Sequence, residues 1–205
     1  MRCILKCSIA ALVVLLTLST PLRAQVLAGS GEVSANVGFN NLSSSVLKAY
    51  NATTSGLNKE NVQFGFGGGY NLTKYIAIGG EYEYLPMFSP MAGYTGSMNS
   101  QAYGGAARFS LMSDGKFVPY VVAGGGGTHV SWTGANPTTA NGNYFGVGGG
   151  VSIYLHHNFG IRGEYRWNHD SQTISELGNK SVTENVSSGA VAFFYQFGGK
   201  QSTKK

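Results

Sequence analysis

Residues 62–87 read VQFGFGGGYNLTKYIAIGGEYEYLPM, and this stretch decides the fold because it contains two alternating segments joined by a short polar turn. Apolar side chains recur at every second position before the turn and again after it, which is the period of a β-strand. The opposite face of both segments is small, polar or charged, and it includes Glu81 and Glu83. This arrangement inverts the apolar-in pattern of a soluble sandwich. The stretch therefore predicts a β-hairpin whose apolar face meets lipid.

Residues 1–24 have the order of a secretory signal peptide. Arg2 and Lys6 precede an apolar run over residues 9–18, and a cleavage site follows at residues 22–24. The apolar run is far shorter than the roughly 20 residues that a membrane helix needs. We therefore predict a signal peptide over residues 1–24, a barrel domain over residues 25–198 and a polar tail over residues 199–205.

The composition excludes several classes of protein. Hydrophobic residues make up 42% of the chain and recur with a regular period, which argues against a disordered protein. The net charge of +5 includes Arg2, Lys6 and Arg23 of the predicted signal peptide, so the mature chain is nearly neutral and no nucleic-acid partner is expected. Cys3 and Cys7 also lie in that peptide, which leaves the mature chain without a disulfide or a thiolate metal site.

Six further segments with a period of two complete the predicted sheet. They lie near residues 32–40, 101–112, 117–130, 144–155, 159–168 and 185–197. Long polar connections are predicted at residues 41–60, 85–100, 131–142 and 169–184, and they alternate with short turns. This alternation predicts an all-β protein, an eight-stranded antiparallel up-and-down transmembrane β-barrel with its short turns and both termini at the periplasmic end.

Aromatic residues near the strand ends suggest two girdles at the membrane interfaces. The girdle at the periplasmic interface is predicted to contain Tyr70, Tyr75, Tyr120, Tyr154 and Phe159. The girdle at the outer interface is predicted to contain Tyr84, Tyr103, Trp132, Tyr144 and Trp167.

The mature chain resembles the eight-stranded OmpA-type and OmpX-type outer-membrane barrels. The resemblance is carried by GGGYNLTKYIAIGGEYEY at residues 67–84, KFVPYVVAGGG at residues 116–126 and FGIRGEYRW at residues 159–167. It departs from the family in two ways, since we expect no peptidoglycan-binding domain after the barrel and Phe197 is followed by a polar tail. The resemblance implies a location in the bacterial outer membrane, in a family that includes structural proteins, adhesins and a few enzymes.

Charged residues on the small-residue face are the strongest candidate site. The set comprises Glu81, Glu83, Arg108, Arg162, Glu164 and Arg166. Their charges cancel, and buried ions must be paired. The plain interpretation is a structural salt-bridge network inside the barrel, and the alternative is a gated ion path. The strand directions predict that Arg166 meets the acids across the lumen and that Arg108 approaches Glu81.

The remaining polar motifs give weaker candidates. His129 and Ser131 are two residues apart, so they share one face of a strand, and outer-membrane lipid A deacylases resemble this in using a His-x-Ser pair, with Ser131 as nucleophile and His129 as base. No acidic residue is placed to orient His129.

His156 and His157 are adjacent, which puts them on opposite faces, so they lack the spacing of metal ligands. The glycine runs lack the helix that a phosphate loop requires. No metal and no cofactor are expected.

The sequence therefore favours a monomeric, non-enzymatic outer-membrane barrel without an open pore. Its expected role is structural or adhesin-like, with outer-membrane lipid around it and an extracellular partner bound through the long loops. Two alternatives remain, which are a lipid-modifying enzyme using His129 and Ser131 and a soluble ligand-binding barrel with its apolar faces inward.

Overall fold

A computed structural model shows a closed barrel of eight strands arranged in chain order. The residues that it describes are 26–41, 60–87, 97–133, 138–174 and 180–199. The strands are β1 (Ser30–Asn41), β2 (Glu60–Asn71), β3 (Ile76–Met87), β4 (Ser97–Ser110), β5 (Phe117–Thr133), β6 (Thr138–Tyr154), β7 (Phe159–Ile174) and β8 (Lys180–Gly198). The predicted signal peptide, the tail beyond residue 199 and the side chain of Trp132 lie outside the described residues.

Each strand pairs antiparallel with the next, and β1 closes the barrel by pairing with β8. Gly31 lies opposite Tyr70 of β2 on one side and Phe197 of β8 on the other. The predicted fold class is confirmed. Across the described ranges, no helix is long and apolar enough to cross a membrane.

The strands extend further at the outer end than predicted. Residues 131–142 and 169–184 were expected to be loops, but β5 continues to Thr133 before β6 begins at Thr138, and β7 continues to Ile174 before β8 begins at Lys180. The expectation was wrong because strands above the apolar band can be polar on both faces. Hydrophobic alternation then disappears, although the ladder hydrogen bonds continue.

The two faces of the barrel differ as the hairpin predicted. Large apolar side chains on the outer surface are exposed, among them Phe39, Phe64, Phe66, Ile78, Val121, Phe145, Tyr165 and Phe193. The other face of the same strands turns inward and carries the charges. A soluble barrel with inward apolar faces is therefore excluded.

Three tyrosines predicted for the girdles point into the lumen instead. Tyr120 is 2% exposed and Tyr154 is 4% exposed. Tyr144 donates a hydrogen bond to Glu81 inside the barrel. The girdle assignment of these three residues was wrong because each phenol reaches a polar partner in the lumen, with Tyr120 donating to Glu164 and Tyr154 accepting from Gln196.

Inward glycines allow the narrow barrel wall to close. A Cβ at Gly126 would collide with the carbonyl oxygen of Tyr103 and lie 2.5 Å from Cα of Gly104, whereas a Cβ at Gly163 would meet nothing within 4 Å.

We expect Gly126→Ala to lower the free energy of unfolding by about 1–3 kcal/mol, since overpacking displaces backbone. Gly163→Ala should change it by less than about 0.5 kcal/mol. Urea titration read by the gel shift of unheated samples measures both, and equal midpoints would contradict the packing argument.

Candidate functional site in the lumen

A lower ion cluster, formed by Glu32, Arg108 and Arg162, lies near the periplasmic end of the lumen. Arg108 Nη2 donates to both oxygens of Glu32, at 3.1 Å to Oε1 and 3.0 Å to Oε2. Arg162 Nη2 donates to Glu32 Oε1 at 2.7 Å, and its Nε donates to Ser152 Oγ at 3.2 Å. One carboxylate from β1 therefore holds guanidinium groups from β4 and β7.

Aromatic rings complete the surroundings of the lower cluster. The guanidinium carbons of Arg108 and Arg162 lie 5.5 Å and 5.7 Å from the ring centroid of Tyr120. That of Arg162 also lies 4.8 Å from the ring centroid of Phe194. Cation–π contacts of this kind stabilise a desolvated guanidinium, which offsets part of the cost of placing two positive charges side by side.

An upper ion cluster, formed by Glu81, Glu164 and Arg166, lies on the extracellular side of the first. Arg166 binds Glu81 through two parallel hydrogen bonds, 2.5 Å from Nη1 to Oε1 and 2.8 Å from Nη2 to Oε2, and its Nε donates to Glu164. Such bidentate pairs are strong and directional. Tyr144 donates to Glu81 Oε1 at 3.1 Å and Tyr120 to Glu164 Oε2 at 2.7 Å. Tyr120 thus touches both clusters.

The structure places five of the six predicted charged residues in these two clusters. Arg166 reaches Glu81 across the lumen, but Arg108 pairs with Glu32 and not with Glu81. The expected Arg108–Glu81 pair was wrong because the register sets Arg108 opposite Ala77, whereas Glu81 lies opposite Gly104, four residues further out. Glu83 forms no ion pair within the described residues and lines the space above the upper cluster.

Glu32 is the site residue that the sequence reasoning missed. It lies near the start of the first strand and shares its inward face with Ser34 and Asn36. The alternation that selected the other charges could have identified it, since a carboxylate on a small-residue face is a candidate for the lumen.

The lumen between these groups holds little open space. A cavity of about 100 Å³ lies beside the two clusters, and a second of about 60 Å³ lies above them. Below the clusters, Val26 packs with Val118, Tyr154 and Phe194 in a buried apolar group at the periplasmic end. The N–H of Val26 donates to the carbonyl of Ser113 at 3.2 Å, which holds the segment before β1 across that end.

His129 and Ser131 share one face of β5, as their spacing predicted, and this face points outward. They bind different partners. His129 Nδ1 lies 2.8 Å from Asn141 Oδ1, and Ser131 Oγ donates to Asn99 Oδ1 at 2.7 Å. The residues opposite them on the neighbouring strands are uncharged. These contacts satisfy both side chains with amides, and among the described residues no acid orients His129 as a base.

The paired histidines between β6 and β7 are not grouped with other metal-ligating side chains of the described residues. The rings of His156 and His157 lie 5.2 Å apart in that turn. Within the described ranges, no three His, Cys, Asp or Glu residues are grouped so that they could hold a metal ion directly.

A closed eight-stranded barrel with an apolar outer surface and ion pairs inside is the architecture of transmembrane barrels of the bacterial outer membrane. The chain belongs to the family described as outer membrane protein beta-barrel domain, whose model matches residues 10–197. The protein is therefore an outer-membrane β-barrel of the OmpA-like kind. The residue bounds of the signal peptide and the tail stay predictions.

Solved outer-membrane barrels share this fold. Neisserial surface protein A (NspA) matches with a TM-score of 0.65 at 15% identity, covering 82% of this chain and 99% of that chain. Ail of Yersinia pestis, in complex with the heparin analogue sucrose octasulfate, matches with a TM-score of 0.55 at 15% identity and coverages of 83% and 100%. OprG of Pseudomonas aeruginosa matches with a TM-score of 0.53 at 12% identity and coverages of 84% and 98%. No curated protein matches the sequence.

Proposed function

We propose that this protein is a non-conducting, non-enzymatic barrel that acts structurally or by surface interaction in the outer membrane. The observation that carries the proposal is the pair of ion clusters, which fill the lumen where a pore would run. The buried apolar group at Val26 supports it, because it lies across the periplasmic end of the same path. Eight strands leave an interior only just wide enough for side chains to fill.

Purified protein in planar bilayers should give no steady current. The reason is that ions would have to displace the guanidinium and carboxylate groups of both clusters, which are bound to one another. A general porin in the same bilayers serves as the positive control. Large, stable single-channel steps from the parent protein would contradict a closed barrel.

Surface interaction is supported by the parts of β5, β6, β7 and β8 that stand above the apolar band. Their outward side chains are polar, as at His129 with Asn141 and His169 with Asn185. Hydrogen-bonded strands with polar outward side chains can present a rigid surface outside the cell. The sulfated ligand in the Ail structure is a property of Ail, and we infer for this chain only an extracellular partner of unspecified chemistry.

A trimmed variant tests the interaction. Residues 129–141 are replaced by a short Asn-Gly turn, which removes the top of the β5–β6 hairpin and keeps the clusters. We expect the trimmed barrel to reach the cell surface and to lose binding to immobilised extracellular-matrix proteins that the parent binds. Equal binding by both proteins would place the binding surface outside the trimmed hairpin. No binding by the parent would favour the structural role, which a deletion strain would reveal through greater sensitivity to detergent.

Catalysis by Ser131 is the competing function, and one substitution tests it. Ser131→Ala should leave the lipid A acylation pattern of the host unchanged, because the hydroxyl is engaged with Asn99 and His129 binds Asn141 in place of an acid. Mass spectrometry of lipid A from cells expressing parent and variant at equal levels makes the comparison. A deacylated species present only with the parent would establish the enzyme.

A further inference from the structure

The outer half of the lumen has an electrostatic imbalance that the ion clusters do not explain. The lower cluster contains one carboxylate and two guanidinium groups, and the upper cluster contains one guanidinium and two carboxylates. The two clusters together are therefore neutral. Further acids above them add negative charge that the clusters do not balance.

The cavity of about 60 Å³ above the upper cluster is lined by such acids. Glu83 of β3, Asp170 of β7 and Glu184 of β8 all line it, and the described residues of its lining include no lysine or arginine. Asp170 lies opposite Glu184 in the β7–β8 register. Arg166 lies below, but its Nε, Nη1 and Nη2 already donate to Glu164 and Glu81.

Two buried oxygen atoms at the same cavity have no hydrogen-bond partner among the described residues. Thr128 is 5% exposed, and within the described residues its Oγ1 has no hydrogen-bond partner. Oδ1 of Asp170 is likewise buried without a partner among those residues. A buried hydroxyl or carboxylate left unpaired costs free energy, so these atoms favour a hydrogen-bond donor or a cation in the cavity.

We propose that this outer cavity binds a hydrated divalent cation of the Mg²⁺ type, held by the carboxylates of Glu83 and Asp170 and, through water, by Thr128 Oγ1. Mg²⁺ keeps several of its waters and is commonly held by only one or two carboxylates. Such an ion fits this cavity, because the described residues of the lining form no group of three direct metal ligands. A cavity of this size holds several waters, because one water needs only about 10–15 Å³ of such space. The cation supplies positive charge beside Glu83 and Asp170.

Mn²⁺ is the probe, because it takes the place of Mg²⁺ at oxygen sites and its free concentration is read from its electron paramagnetic resonance signal. The full chain in detergent micelles should take up Mn²⁺ saturably, and Mg²⁺ should compete. Asp170→Asn and Glu83→Gln should each abolish the saturable uptake. Thr128→Val should weaken it by about tenfold, the usual effect of losing an outer-shell partner.

The matched control is Asp114→Asn, the same chemical change in the exposed turn between β4 and β5. It should bind like the parent. Urea midpoints provide a second readout: MgCl2 should raise the midpoint of the parent and of Asp114→Asn above that in tetramethylammonium chloride of equal ionic strength. MgCl2 should not raise the midpoint of Asp170→Asn. This variant is expected to fold, because the substitution removes one of several neighbouring acids.

Three results would overturn the proposal. Equal Mn²⁺ uptake by the parent and Asp170→Asn would place the ion elsewhere. Absence of uptake by the parent would mean that protons neutralise the acids. A urea midpoint that is raised by spermidine but not by MgCl2 would assign the cavity to an organic amine.

Discussion

Glu32→Gln should lower the free energy of unfolding by about 3–5 kcal/mol, the usual cost of removing one partner from a buried ion pair. The change keeps the shape of the side chain and removes its charge. Two guanidinium groups, those of Arg108 and Arg162, would then face each other without a carboxylate between them. The midpoint of urea unfolding, read from the gel shift of unheated samples, measures the loss.

A double-mutant cycle separates charge from packing at this cluster. Adding Arg108→Met to Glu32→Gln removes one of the two repelling cations, so the double variant should be more stable than Glu32→Gln alone. Ser34→Ala, on the same inward face of β1, is the control for a small change in the lumen. Additive losses in the cycle would show that water solvates these groups separately.

Phe66→Arg should cost about 2–4 kcal/mol, since this residue lies in the middle of the apolar outer surface. Its side chain is 62% exposed and stacks on Tyr82 with the ring centroids 5.0 Å apart. In the membrane that exposed area contacts lipid, where a guanidinium loses its hydration. Unfolding from lipid vesicles in urea gives the magnitude.

Leu72→Arg is the matched control for the charge at Phe66. Leu72 is exposed in the turn between β2 and β3, at the periplasmic interface. Arginine near an interface costs only about 0–1 kcal/mol. Similar losses at both positions would mean that Phe66 does not lie at the depth of the hydrocarbon.

Sequence alternation predicts whether a side chain points into the lumen or to the outer surface, and this part of the fold follows from the sequence alone. The period of two is local, so Glu81, Arg162 and Arg166 could be assigned to the lumen from their own strands. Ion-pair partners are not local. They depend on the stagger of all eight strands, which is why Arg108 was matched to Glu81 when it binds Glu32.

Alternation does not predict the orientation of the tyrosines or the length of the polar strand ends, for a different reason. A tyrosine is both apolar and a hydrogen-bond donor, so Tyr120 fits either a girdle or a lumen until the position of Glu164 is known. Polar residues such as Asn141 and Thr183 suggest loops, yet they continue the ladders of β6 and β8. Local composition does not report whether a neighbouring strand is present to pair with.

The lower cluster also has a consequence for the order of assembly. Its three members come from β1, β4 and β7, so its ion pairs join residues 76 and 130 positions apart in sequence. Contacts of such long separation form late, because much of the chain must be arranged before they exist. An open, partly formed sheet would carry these charges unpaired into the bilayer at a large free-energy cost. We therefore expect membrane insertion to be cooperative, since Glu32 of the first strand meets both of its arginine partners only when β4 and β7 are in place.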